Sequence, residues 1–189
     1  MKNLSILLLL CLFLITMNVK AQELISDPQN PVSMPRTIDR TSFGIGGGFD
    51  YGGFGANILI YPQENIGLFG GVGYALAGIG YNVGAKFRIV SRKHHTDPFA
   101  MVMYGYNAAI AVKDGSQFNK LFYGPSLGIG LDLHSKKSNK GYWSFAVLAP
   151  IRGSEVNEYI DDLETNHGVA FQNELPPIAV SIGYRFVLN

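Results

Sequence analysis

From Phe43 onward, large apolar residues recur at every second position, and the positions between them hold glycine, alanine, serine or an isolated charge. A period of two belongs to strands, because successive side chains on an extended backbone point to opposite faces. The last such stretch sets Ile178, Val180, Ile182, Tyr184, Phe186 and Leu188 against Ala179, Ser181, Gly183, Arg185 and Val187. It predicts a terminal strand with one greasy face and one small or charged face.

The same pattern recurs upstream. Phe43, Ile45, Phe49 and Tyr51 oppose Gly44, Gly46, Gly48 and Asp50, and a tight turn at Gly52 and Gly53 leads to Phe54, Ala56, Ile58 and Ile60 against Gly55, Asn57 and Leu59. After a turn at residues 62–65, Ile66, Leu68, Val72, Tyr74 and Leu76 oppose Gly67, Phe69, Gly71, Gly73 and Ala75. A turn at Ala77 and Gly78 precedes a strand over residues 79–90, in which Ile79, Tyr81, Val83, Ala85, Phe87 and Ile89 face away from Gly80, Asn82, Gly84, Lys86, Arg88 and Val90. A basic turn at 92–97 separates it from a fifth strand over 99–112, with Val102, Tyr104, Tyr106, Ala108, Ile110 and Val112 outward. The sixth, over 123–133, sets Leu127, Ile129, Leu131 and Leu133 against Ser126, Gly128, Gly130 and Asp132. Pro125 lacks a ladder donor, so a bulge or the strand's start is expected there. Beyond a polar turn at 134–141, Trp143, Phe145, Val147, Ala149 and Ile151 mark the seventh strand, and residues 152–177 form a long insertion before the last. About eight strands, an even number, suit a closed antiparallel barrel with both termini at one end.

Which face points outward decides the kind of barrel. A water-soluble barrel keeps large apolar side chains inside and charges outside. Here the strand charges, Asp50, Lys86, Arg88, Asp132 and Arg185, all fall on the small-residue face. With that face outward, the surface would be mostly glycine and a narrow core would be overfilled. The inverse arrangement packs: lipid against the large residues, small and polar residues within. Strands of about 9–11 residues also match a tilted membrane crossing. Tyr51, Tyr74, Phe87, Trp143, Tyr184 and Phe186, near strand ends, are expected in interfacial girdles.

Residues 1–21 read as a cleaved secretory signal peptide. Lys2 supplies the positive charge, an apolar run follows from Leu4 to Met17, and Val19, Lys20 and Ala21 form a small-residue cleavage site. The apolar run is shorter than the roughly 20 residues a spanning helix needs. Cys11 lies inside it, without the small residues that precede a lipidated cysteine, so the mature chain from Gln22 has no cysteine. Disulfides, thiolate chemistry and cysteine-ligated metals are thereby excluded from it. Residues 22–40, with Pro28, Pro31 and Pro35, read as an extended periplasmic linker, and residues 41–189 as the barrel. Losing Lys2 and Lys20 leaves 13 basic against 14 acidic residues, a net charge of −1. That balance gives no electrostatic case for nucleic acid. No cofactor is indicated.

The strand pattern, the signal peptide and the terminal Tyr184, Phe186 and Leu188 resemble the small outer-membrane β-barrel families of Gram-negative bacteria, over the chain from about Thr41 onward. The resemblance implies an outer-membrane location, contact with outer-membrane lipid and lipopolysaccharide, and a last strand read by the barrel-assembly machinery. The chain departs from the commonest family ending, an aromatic residue, by closing on Leu188 and Asn189. Such families share no active site, so architecture follows from the resemblance and function does not.

Three classes of function remain open: a structural or surface-interaction barrel with a largely plugged lumen, a small anion-preferring pore, and an outer-membrane lipid-modifying enzyme. The enzyme needs a clustered nucleophile and base. His94 and His95 fall in a turn, His167 in the long loop, and His134 beside Ser135, where neighbours on a strand face opposite ways. No catalytic residue and no metal ligand is assigned, and the chain is read as a non-enzyme. Inside the barrel, Lys86, Arg88, Asp132 and Arg185 fall late in strands running toward the termini and are expected to form a charge cluster in which Asp132 pairs with a cation. In the insertion, Val156, Tyr159, Ile160 and Leu163 recur at helical spacing, with Ser154 as a cap and Gly168 beyond the end. Its other face carries Glu155, Glu158, Asp161, Asp162 and Glu164. So short a helix needs a packing partner. Its stripe is expected to fold over the barrel mouth with Phe171 and Leu175, or else to dock a protein partner outside the cell.

Overall fold

The computed structural model describes residues 38–91, 94–112, 115–135, 139–169, 171 and 175–188. The expected signal peptide and all but the last residues of the expected linker lie outside them. The unit Pro35–Asn189 contains the barrel.

Eight antiparallel strands close on themselves in chain order: β1 (Thr41–Gly48), β2 (Gly53–Gln63), β3 (Ile66–Tyr74), β4 (Ile79–Arg88), β5 (Thr96–Ile110), β6 (Lys120–His134), β7 (Gly141–Pro150) and β8 (Ala179–Val187). The closing pair sets Phe43 opposite Phe186 and Ile45 opposite Tyr184. One helix, α1 (Ser154–His167), follows β7. The up-and-down order puts the start of β1, the end of β8 and three short connections at one end. The β1–β2, β3–β4, β5–β6 and β7–β8 connections share the other, the loop end.

The alternation resolves as expected over most of the wall. Ile58, Leu68, Val83, Ile129 and Val180 face out with 50–72% of their surface exposed, while Leu59, Phe69, Asn82, Lys86 and Arg185 are buried. A first correction concerns β1. It ends at Gly48, and Phe49–Tyr51 form a 3-10 turn instead of continuing the strand. Tyr51 is only 1% exposed, inside the barrel and not in a girdle. Gly48 (φ 137°), Gly52 (φ 71°) and Gly53 (φ 106°) supply the backbone reversal that side chains with a Cβ disfavour.

A second correction concerns β5, which starts at Thr96 and so takes Asp97 out of the expected turn and into the wall. Its pairing with β6 shifts between Tyr106 and Ala108, leaving Asn107 as the extra residue of a bulge. A one-residue shift exchanges the two faces. Ala108 and Ile110, beyond the bulge, are therefore buried and not outward, and Val112 is half-buried; Tyr106, just before it, is also buried and not outward, its ring edge-on to Phe49. Pro125 lies within β6, opposite Tyr104, and not at the bulge or the strand's start. Its carbonyl accepts from Ile151 N at 2.9 Å, so its missing N–H faces the β7 side, where the ladder begins only at Ser126 opposite Pro150.

β5 and β6 are the longest strands, at 15 residues each. Beyond Gly105 opposite Asn82 on one side, and Ser126 opposite Pro150 on the other, they continue as a two-stranded arm. The stripe of α1 packs on that arm: Val156 and Leu163 are buried with Ala108, Ile110 and Phe122, and Tyr159, Ile160, Phe171 and Leu175 lie around them. Tyr159 OH donates to Phe118 O at 2.9 Å, and Arg152 Nη1 donates to Pro176 O at 2.8 Å. The N-cap is Gly153 without a side-chain bond, so Ser154 begins the helix and does not cap it. Gly168 ends it in the left-handed conformation.

Candidate functional site

The interior is divided between an apolar and a polar side. Leu59, Tyr61, Phe69, Phe99, Met101, Met103, Ala146 and Leu148 form one cluster, with Phe49 packed against it. The rest is polar and joined by hydrogen bonds, as buried polar groups tend to be, although the Tyr51 and Tyr61 hydroxyls, Asn82 Oδ1 and Ser126 Oγ find no hydrogen-bond partner among the described residues.

Of the four charges expected in the lumen, all are buried but they do not form a single cluster. Lys86 Nζ lies 2.8 Å from Asp132 Oδ2 and 3.6 Å from the centroid of Phe99, while Ser144 Oγ donates to Asp132 Oδ1 at 2.7 Å. Arg88 pairs elsewhere, with the Asp39 carboxylate, and donates from Nη2 to Asp39 O at 2.8 Å and from Nε to Glu64 O at 2.8 Å. Its guanidinium lies 3.4 Å from the Tyr61 ring centroid, in cation–π contact. Arg185 donates to neutral side chains. Its Nη2 donates to Asn57 Oδ1 at 2.7 Å and its Nε to Ser42 Oγ at 3.1 Å.

These groups join into a file along the barrel. Tyr142 OH donates to Asp39 Oδ2 at 2.9 Å, Ser42 Oγ lies 3.4 Å from that hydroxyl, and Arg185 links Ser42 to Asn57. Asn57 Nδ2 donates to Asp50 O at 2.6 Å, and the Asp50 carboxylate accepts from Ser181 Oγ. The file thus runs from Asp39 near the termini to Asp50 at the loop end.

Asp50 reaches it because the Phe49–Tyr51 turn bends into the lumen. Asn82 Nδ2 donates to Phe49 O, and the Phe49 ring meets Tyr106 edge-on with centroids 4.9 Å apart. The turn sits on inward-facing glycines. A Cβ on Gly71 would strike the Asp50 backbone, one on Gly183 the Tyr51 ring, and one on Gly44 would come within 3.0 Å of that ring. Inward glycine in β1, β3 and β8 therefore provides the room that the turn occupies.

Two carboxylates of this interior escaped sequence reading. Asp97 was legible in principle, since it shares the parity of the inward Phe99, Met101 and Met103. It accepts from Ser91 N at 3.2 Å and stands 3.4 Å from His134 Nε2. Asp39 carries no periodic signal, because it precedes the first strand. His134 stacks on Tyr142 with centroids 4.3 Å apart, and Ser135 is exposed. Among the described residues, no three His, Cys, Asp or Glu side chains are placed to hold a metal ion. Nor is any described helix long and apolar enough to cross a membrane, which leaves the strands unaddressed.

No protein-family model matches the chain, and no curated protein does. Among solved structures, its fold is similar to the crystal structure of the N-terminal β-barrel domain of OprF from Pseudomonas aeruginosa. The TM-score is 0.46 at 10% identity, covering 77% of this chain and 95% of that one.

Proposed function

We propose that the protein is an integral outer-membrane barrel whose lumen is closed at rest and whose role is structural or one of surface interaction. The observation that carries this reading is the inverted wall. On every strand the exposed face is apolar, and every wholly buried charge is inside. A surface of isoleucine, leucine and valine of that extent is unfavourable in water and suits acyl chains. Aromatic residues border it at both ends. Trp143, Tyr184 and Phe186 pack edge-on near the termini, at 5.4 and 5.0 Å between centroids, and Tyr81 meets Tyr123 at 4.8 Å toward the loop end. The secretory leader expected at residues 1–21 supports the outer membrane as the destination.

On this reading the partners are outer-membrane lipid and lipopolysaccharide around the wall, the assembly machinery at β8, and a protein at the long β7–β8 loop, which faces the exterior if the termini are periplasmic. With its apolar stripe occupied by the β5–β6 arm, α1 offers outward Glu155, Glu158, Asp161, Asp162 and Glu164, all exposed. A partner there would meet an acidic surface.

Fractionation of cells making the full chain tests the proposal. The protein is expected with outer membranes, migrating faster unheated than boiled. Recovery as a soluble periplasmic protein without detergent would sink it.

A further inference from the structure

The charges inside the barrel have two origins. Among the described residues, the wall turns inward three buried cations, Lys86, Arg88 and Arg185, and two buried carboxylates, Asp97 and Asp132. The remaining two buried carboxylates do not belong to the wall. Asp39 stands two residues before the start of β1, and Asp50 two residues past its end. They flank the same strand and sit at opposite ends of the same polar file.

We infer that this file is an anion path that the chain keeps shut with Asp39 and Asp50 as tethered carboxylates, whose places small free anions such as chloride take once they withdraw. The inference rests on the membrane reading above and adds a mechanism of closure to it. Asp132 is committed to Lys86, and Asp97 faces His134. With the two tethered carboxylates gone, Arg88 loses its ion-pair partner, and Arg185, joined to Asp50 through Asn57, loses the negative charge at the loop end of the file. A buried cation without one is costly, so a small anion entering beside it is favoured. Inward Arg and Lys select anions in pores for this reason.

Asp50 hangs on a turn between Gly48 and Gly52–Gly53, and its place is bounded by inward glycines. Swinging the turn out uncovers a glycine-lined space above Arg185. The apolar cluster fills the other side, so the polar file is the route left for a hydrated ion, and the width of eight strands admits only small ones.

The test uses the refolded full-length barrel in lipid vesicles. One variant carries Asp39→Asn with Asp50→Asn. A second keeps Asp39→Asn and replaces residues 49–52 by a two-residue Asn-Gly turn, which removes the inserted segment instead of leaving it half-satisfied. Folding and insertion are read by heat-dependent mobility, chloride and potassium fluxes by ion-sensitive dyes, and selectivity from reversal potentials in planar bilayers. The wild type is expected to be tight, and both variants to pass chloride severalfold faster than potassium. Adding Arg185→Gln to the opened barrel should remove that preference. Folded variants that stay tight, that prefer cations, or whose preference survives Arg185→Gln would overturn the inference alone. So would failure of both variants to fold, since the carboxylates would then be structural members. Failure of the wild type to insert would remove the membrane reading with it.

Discussion

Lys86 Nζ and Asp132 Oδ2 meet at 2.8 Å across the inside of the barrel, and neither side chain has more than 3% of its surface exposed. Removing one partner strands the other charge away from water, which costs about 3–5 kcal/mol, whereas replacing both by apolar residues of similar size is often neutral. Asp132→Asn should therefore lower stability to urea in vesicles by about that amount, and Lys86→Met with Asp132→Leu should recover most of it. A double variant no more stable than Asp132→Asn would show that the pair holds the lumen together by more than mutual neutralisation.

Tyr51 fills space that glycine leaves at position 183, because a Cβ there would strike its ring. Gly183→Ala alone is an overpacking substitution, expected to cost about 1–3 kcal/mol. In a Tyr51→Leu background the same change should cost clearly less. Additive losses in the cycle, measured by reversible unfolding, would mean that the turn does not hold Tyr51 in the lumen in solution.

Trp143 is the sole tryptophan of the chain and stands half-exposed on the outer wall, edge-on to Tyr184. A girdle residue rests at headgroup depth. Lipids brominated near the headgroup should quench its fluorescence more strongly than lipids brominated deep in the chain. Equal or absent quenching would argue against the girdle.

Leu163 and Tyr159 anchor α1 to the β5–β6 arm, Leu163 by burial and Tyr159 also by its bond to Phe118 O. Replacing both by serine removes apolar burial worth about 1.5–3 kcal/mol per large side chain. External protease should then cut between Arg152 and Pro177 while the barrel keeps its heat-dependent mobility. Unchanged resistance would show that other contacts hold the loop, and loss of a co-purifying protein would point to a docking role for the helix.

The strands, their inner and outer faces and the helix stripe were legible along the chain, because alternation and helical spacing are properties of a few consecutive residues. Lys86, Arg88, Asp132 and Arg185 could be placed inward by parity alone. Their partners could not, since a side chain on one strand chooses among groups carried by several others, and Arg88 takes Asp39, which lies outside any periodic segment. The bulge at Asn107 reversed the faces of Ala108 and Ile110 through a register with β6 that the local pattern does not carry. The inward turn at Phe49–Tyr51 depends on room made by glycines in β1, β3 and β8, residues far apart in sequence that meet only when the barrel closes. By itself the sequence determined an inside-out barrel. Only tertiary structure decided what fills it, because filling a closed interior is a competition among all eight strands for one small volume.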